Sequence, residues 1–171
     1  MEQLKHDTAA AIYFLRRLSP ENGWSLTAIE PDGGTETRTF KPSEAEAAAA
    51  WIEGHQGKRG IYYHINLVRS RLTKKASKEQ IAGFRAFHID VDPRAGEELA
   101  CEQERIYKLL TTPRDGVPSP SLVVSSGGGY QAVWLLGEPL MIPQWKGEGN
   151  EPPELLLGEA INRGLQNAYS K

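Results

Sequence analysis

Residues 121–136, SLVVSSGGGYQAVWLL, constrain the fold more than any other stretch of this chain. Two runs rich in β-branched, aromatic and aliphatic residues are separated by three consecutive glycines, which reads as strand, tight turn, strand. The stretch WSLTAI, residues 24–29, and TETRTF, residues 35–40, flank PDGG in the same way. Hairpins pair their strands locally and antiparallel, whereas parallel strands need long crossovers. With helical segments between the hairpins, the expected class is α+β and not a doubly wound parallel sheet.

The remaining punctuation fills in the order. Asp7 can cap a helix running to about Leu18, followed by a turn at Pro20, Asn22 and Gly23. Ser43 and Glu46 are spaced as a capping box before an Ala-rich helix that ends near Gly54. Residues 61–68, IYYHINLV, read as one strand, and RSRLTKKA as a basic loop. Ser77 with Gln80 makes another capping box for a short helix, and residues 84–92 form a strand that Pro93 stops. Residues 96–110 read as a helix, 137–153 as loop and 154–168 as a last helix.

At 171 residues the chain suits one domain or two small lobes sharing a core. No run approaches 18 apolar residues, so no membrane partner is expected. Asp7, Arg16 and Arg17 interrupt the apolar residues of the N-terminal segment, which argues for an amphipathic helix and against a signal peptide. The single cysteine, Cys101, excludes an internal disulfide and a multi-Cys zinc site, and the cytoplasm is the default compartment.

A net charge of −2 argues against a general nucleic-acid binder, but the charge is unevenly placed. From Lys58 to Arg85 there are eight Lys or Arg against Glu79 alone; from Asp90 to Glu104, six Asp or Glu stand against Arg94.

The basic block runs into RAFHIDVDPR, residues 85–94. Asp is disfavoured in strands, and a buried carboxylate is costly unless paired or bound to a metal. Alternation places Ala86, His88, Asp90 and Asp92 on one face and Phe87, Ile89 and Val91 on the other. With a rise of roughly 3.3 Å per residue, side chains two apart converge on one cation or on a close pair of them. A hard divalent ion such as Mg²⁺ or Mn²⁺ would relieve the repulsion between the two carboxylates. The alternative is an edge strand with a wet Asp face. His88 shares that face, but a lone histidine there reads as structural.

In SSGGGYQAVW, three glycines exceed what a hairpin turn requires and would let backbone N–H groups approach an anion. Ser125 and Ser126 add hydroxyls, and Gln131 adds an amide. No Lys-Ser/Thr pair follows, so this is not a Walker A loop. The cations between Arg69 and Lys78, Lys74 and Lys75 among them, are suited to phosphate.

HIDVD followed by SSGGGYQAVW resembles the archaeo-eukaryotic primase superfamily, the primase-polymerases. The stretch from IYYHINLVRSRLTKKASKEQI through DVDPRAGEE to SGGGYQAVWLL looks most like RepB-type primase domains of plasmids and phages. The resemblance covers roughly residues 60–136 well and 1–55 poorly. It implies an α+β catalytic core with an antiparallel palm sheet, similar to an RNA-recognition fold, packed by helices. Residues 1–55 would be the N-terminal portion of that domain and 56–171 the palm portion.

The family's hydrophobic-Asp-hydrophobic-Asp strand is matched by Ile89, Asp90, Val91 and Asp92. The resemblance makes Asp90 and Asp92 catalytic ligands of Mg²⁺ or Mn²⁺. Its Ser-glycine motif, matched by Ser126, Gly127, Gly128 and Gly129, would hold the triphosphate of an incoming NTP or dNTP, with Lys74 and Lys75 as electrostatic partners. The implied activity is nucleotidyl transfer on a single-stranded DNA template in plasmid- or phage-type replication, with a replicative helicase as a further partner.

Two features depart from the pattern. Gln131 stands where the family usually has His, and Gln makes only neutral hydrogen bonds. The family's third strand motif, which carries another Asp, has no match after Trp134, so the expectation is a chain truncated before that motif and weakly active. A non-catalytic module binding nucleotide or nucleic acid, and a metal-dependent nuclease, are the competing readings.

Overall fold

The computed structural model describes residues 6–169. It contains four α-helices and seven strands among those residues, mixed as an α+β protein, and falls into two compact units. The first comprises the chain through Gly83 together with Gln144–Glu148; the second comprises Phe84–Pro143 and the chain from Gly149.

In the first unit, Asp7 accepts a hydrogen bond from the Ala10 N–H at 2.8 Å and caps α1, Thr8–Leu18. Strands β1, Trp24–Ile29, and β2, Thr35–Phe40, form the expected hairpin, in register from Trp24 opposite Phe40 to Ile29 opposite Thr35. Period-two alternation turns Trp24, Leu26 and Ala28 inward, where they pack with Leu15 of α1, Phe40 of β2 and, beyond the hairpin, Ala48, Trp51 and Ile52. The second helix, α2, spans Ala45–His55. Its start departs from the Ser43/Glu46 box: Pro42–Glu44 form a 3₁₀ turn, and the Glu44 carboxylate accepts from the Lys41 N–H at 2.7 Å.

Residues 61–68 are not one strand. Strand β3, Gly60–Tyr63, pairs with β1, whereas β4, Leu67–Val68, pairs with the first residues of β5, Ile81–Val91. The His64 N–H still reaches Ser25 O at 2.9 Å, after which β1 has run out and the chain leaves it. With β3 bound to β1, residues 60–63 belong to the first compact unit, which runs through Gly83. The Ser77/Gln80 box is present, closing a 3₁₀ turn at Lys78–Gln80.

In the second unit the strands lie in the order β5, β7, β6, where β6 is Leu122–Ser125 and β7 is Tyr130–Met141. The hairpin register runs from Leu122 opposite Val133 to Ser125 opposite Tyr130. Strand β7 continues into residues expected as loop. Leu135 donates its N–H toward β6, to Ser121 Oγ, so by alternation position 139 also faces that side, beyond the end of β6. There Pro139 forfeits no ladder bond.

Helix α3 is Leu99–Thr111, starting three residues after the expected 96, and α4 is Pro153–Tyr169. Gly158 of α4 lies against the Phe84 ring, and Asn162 Oδ1 accepts from the His88 N–H at 3.1 Å. A helix side chain thus satisfies a β5 backbone donor, one way of covering a strand edge. At the other end, Tyr169 packs on Trp134 with ring centroids 5.7 Å apart, and Arg114 donates to Ala168 O at 2.7 Å.

Candidate metal and phosphate site

The face of β5 that carries the carboxylates grows wetter along its length. Ala86 is fully buried, His88 partly, and Asp90 and Asp92 are exposed. The burial cost expected from the sequence therefore does not arise, and water supplies much of the solvation. What remains is the proximity of two carboxylates at a strand end. Asp90 accepts one long hydrogen bond, 3.4 Å, from Gln131 Nε2, and neither aspartate forms an ion pair among the described residues.

The glycine turn is built against this strand end. A Cβ on Gly129 would stand 2.2 Å from Val91 O and 3.2 Å from Asp92 Cα, so only glycine fits there. Gly127 has φ +96°, a second position that favours glycine. Gly128 has open space around it and no such φ. Two of the three glycines thus answer to the chain's own packing and conformation, independently of any anion.

Ser126 closes the turn. Its N–H donates to Gly129 O at 3.0 Å, and its Oγ accepts from the Gly129 N–H at 3.2 Å. Its hydroxyl proton is left to donate outward. Gly127 O accepts from Gln103 Nε2 of α3 at 3.1 Å. In a trans peptide the C=O and the following N–H point in opposite directions. The Gly128 N–H is therefore aimed away from α3, and neither Gly127 nor Gly128 donates its N–H to a partner among the described residues.

Sequence reasoning missed the residues that brace these loops. Glu102 of α3 is 2% exposed and takes two arginines. Arg94, two residues past Asp92, donates its backbone N–H at 2.9 Å and its guanidinium at 2.7 and 3.1 Å; Arg105 donates at 2.7 and 2.8 Å. Bonds from Arg105 and then Arg94 hold the Glu102 carboxyl far below the usual carboxylate range. One face of α3 thus grips the segment after Asp92 through Glu102, while neighbouring Gln103 grips the glycine turn. A lone Arg94 inside an acidic block was the available signal.

The structure brings together Asp90, Asp92, Ser126, Gly127, Gly128, Gly129 and Gln131. Lys74 and Lys75 are exposed in the first unit, in the loop between β4 and the 3₁₀ turn, and form no ion pair among the described residues. The Nδ1 of His88 is buried without a hydrogen-bond partner, and burial pushes its imidazole below the usual value while Asp90 opposes the shift. Among the described residues no group of three or more His, Cys, Asp or Glu is placed to hold a metal ion. A recess lined by Glu30, Pro31, Asp32, Lys58 and Arg59 belongs to the first unit and contains none of these residues.

Compared with known proteins, the chain matches no family model, no curated protein and no solved structure.

Proposed function

We propose that the chain is a primase-polymerase-type domain that joins nucleotides on a single-stranded DNA template. The carrying observation is the seating of the Gly129 backbone on Val91 and Asp92, with Gln131 on Asp90. It sets a pair of exposed carboxylates beside a turn with two glycine N–H groups that donate to no partner among the described residues, a pairing suited to a metal-bound triphosphate. Asp90 and Asp92 would hold Mg²⁺ or Mn²⁺, which would supply charge for activating a 3′-hydroxyl and for a leaving pyrophosphate. The Gly127 and Gly128 N–H groups and the Ser126 hydroxyl would donate to phosphate oxygens. Gln131, bonded to Asp90, orients that carboxylate and could donate to phosphate only as a neutral amide. Lys74 and Lys75, which form no ion pair among the described residues, suit a nucleic-acid backbone. A plasmid- or phage-type replication role with a helicase partner rests on the sequence resemblance alone.

A second reading is favoured by the small donor set: two exposed carboxylates bind a cation and nucleotide without turning them over. Incorporation of labelled nucleotide on a primed single-stranded template in Mn²⁺ separates the readings. Templated products from the wild-type chain, reduced at least about 10²-fold in Asp90→Asn with Asp92→Asn, support the proposal. Binding without incorporation favours the module, and loss of the DNA itself without added nucleotide favours a nuclease.

A further inference from the structure

The reading above leaves unused the outer face of the first unit's three-stranded sheet, whose strands lie in the order β2, β1, β3. Trp24, Leu26 and Ala28 turn inward, so Ser25 and Thr27 turn outward. The register sets Thr39 opposite Ser25, and both Thr37 and Tyr62 opposite Thr27, on that same outer face. Hydroxyl pairs cross it, Ser25 with Thr39 at 2.8 Å and Thr27 with Thr37 at 2.9 Å. The one carboxylate of these three strands, Glu36, lies on the opposite face, where it accepts from Trp51 Nε1 at 3.0 Å. The outer face therefore carries no strand residue that would repel an anion.

An aromatic ring stands at one edge of this face and a cationic loop at the other. A Cβ on Gly60 would stand 3.0 Å from Tyr62 Cε2, so the ring lies back along β3 in the room that glycine leaves. Tyr62 is 55% exposed, and its hydroxyl has no hydrogen-bond partner among the described residues. The loop between β4 and the 3₁₀ turn is closed at its base, where the Arg69 N–H donates to Gln80 O at 2.9 Å. Thr39 pins it to the sheet: Leu72, itself buried, donates its N–H to Thr39 Oγ1 at 3.0 Å. Lys74 and Lys75 follow within three residues, exposed and without an ion pair among the described residues. Two strand spacings, about 10 Å, separate β2 from β3. Cations suited to phosphate and an open ring suited to a base are thus set apart on one face, with hydroxyls between them.

We propose that this face binds single-stranded DNA, with a base stacked on Tyr62 and backbone phosphates on Lys74 and Lys75. An aromatic surface beside a cationic track suits a single strand, whose unpaired bases are free to leave their own stack for a ring. Stacking tolerates every base and the lysines read only charge, so the face holds a strand without selecting its sequence. The inference rests on the DNA-template part of the reading above and is independent of its metal and phosphate site.

The test is fluorescence anisotropy of a labelled oligothymidylate titrated with the full chain, in EDTA and without nucleotide, so that Asp90 and Asp92 hold no metal. The wild type is expected to bind it more tightly than a duplex of equal length. Tyr62→Ala should lose on the order of tenfold in affinity with its salt dependence unchanged, whereas Tyr62→Phe keeps the affinity. Lys74→Gln with Lys75→Gln should weaken binding and flatten the slope of log affinity against log salt by about 1.4, the value for two phosphate contacts on a single strand. The proposal is overturned if folded Tyr62→Ala binds as the wild type does, if it loses duplex and single strand equally, or if the lysine variant keeps the wild-type slope. Preference for oligouridylate over oligothymidylate overturns the assignment to DNA. No binding of the oligonucleotide by the wild type overturns the surface and the template partner together, while Mn²⁺ binding at the aspartates is judged by its own titration.

Discussion

Asp90 and Asp92 stand in water at the end of a strand whose preceding residues are buried or half-buried, and each residue around them has a separate task. Glu102 is the brace. Its folded carboxyl releases its proton well below the usual 4.5, so the unfolded chain takes up that proton first as pH falls. The stability it contributes is therefore complete above about pH 4.5 and is lost as pH drops below it. Glu102→Gln should lower Tm by several degrees at pH 7 and flatten the acid limb of a Tm-against-pH curve between pH 5 and 3. Parallel curves for variant and wild type would show that Glu102 is not what titrates. His88 has the opposite chemistry and the same sign. Its folded value lies below the usual 6.5, so the stability of its buried neutral form is present above that pH and falls away beneath it. His88→Gln should remove a decline in Tm between pH 6.5 and 5; persistence of the whole decline would assign it elsewhere. The aspartates were legible as a site because alternation fixes their shared face. The Arg94–Glu102 bond was not, because several acidic residues lay within reach of Arg94 and packing chose among them.

Strands and helices turn single glycines into tests. At Gly129 a methyl group must displace the Val91 carbonyl, and at Gly158 it would stand 2.1 Å from the Phe84 ring. Each Gly→Ala change should cost about 1–3 kcal/mol by overpacking, measured by urea denaturation. Gly128→Ala meets open space and should leave stability within about 0.5 kcal/mol of wild type. A neutral Gly129→Ala would show that the turn is not seated on β5. The β1–β2 hairpin was readable to the residue because PDGG fixes its loop and Trp24, Leu26 and Ala28 fix its face. The break of 61–68 into β3 and β4 was not, since β-forming residues declare a strand without naming its partner. The extension of β7 through Gly137 and Pro139 was hidden for a related reason. Those residues signal a turn unless one knows that position 139 faces the side where β6 has ended.

Across the whole chain, the charge asymmetry seen in the sequence is partly neutralised nearby. Arg59 pairs with Glu30 and Glu36, Arg71 with Glu44, and Lys108 with Glu104. Lys74, Lys75, Asp90 and Asp92 have no such ion-pair partners among the described residues, a property they share with Lys58, Arg85, Glu97 and Glu98; what sets Asp90 and Asp92 apart is the glycine turn beside them. No helix among the described residues is long and apolar enough to cross a membrane. The α+β class followed from the two hairpins, while the pairing of one carboxylate strand with one glycine turn emerged only with the sheet order. That pairing is the centre of the account, and calorimetric titration of Mn²⁺ tests it most directly. Saturable heat with the wild-type chain, and at least tenfold weaker binding by folded Asp90→Asn with Asp92→Asn, is the predicted result. Equal Mn²⁺ affinity in the two proteins, or no binding to the wild type, would contradict it.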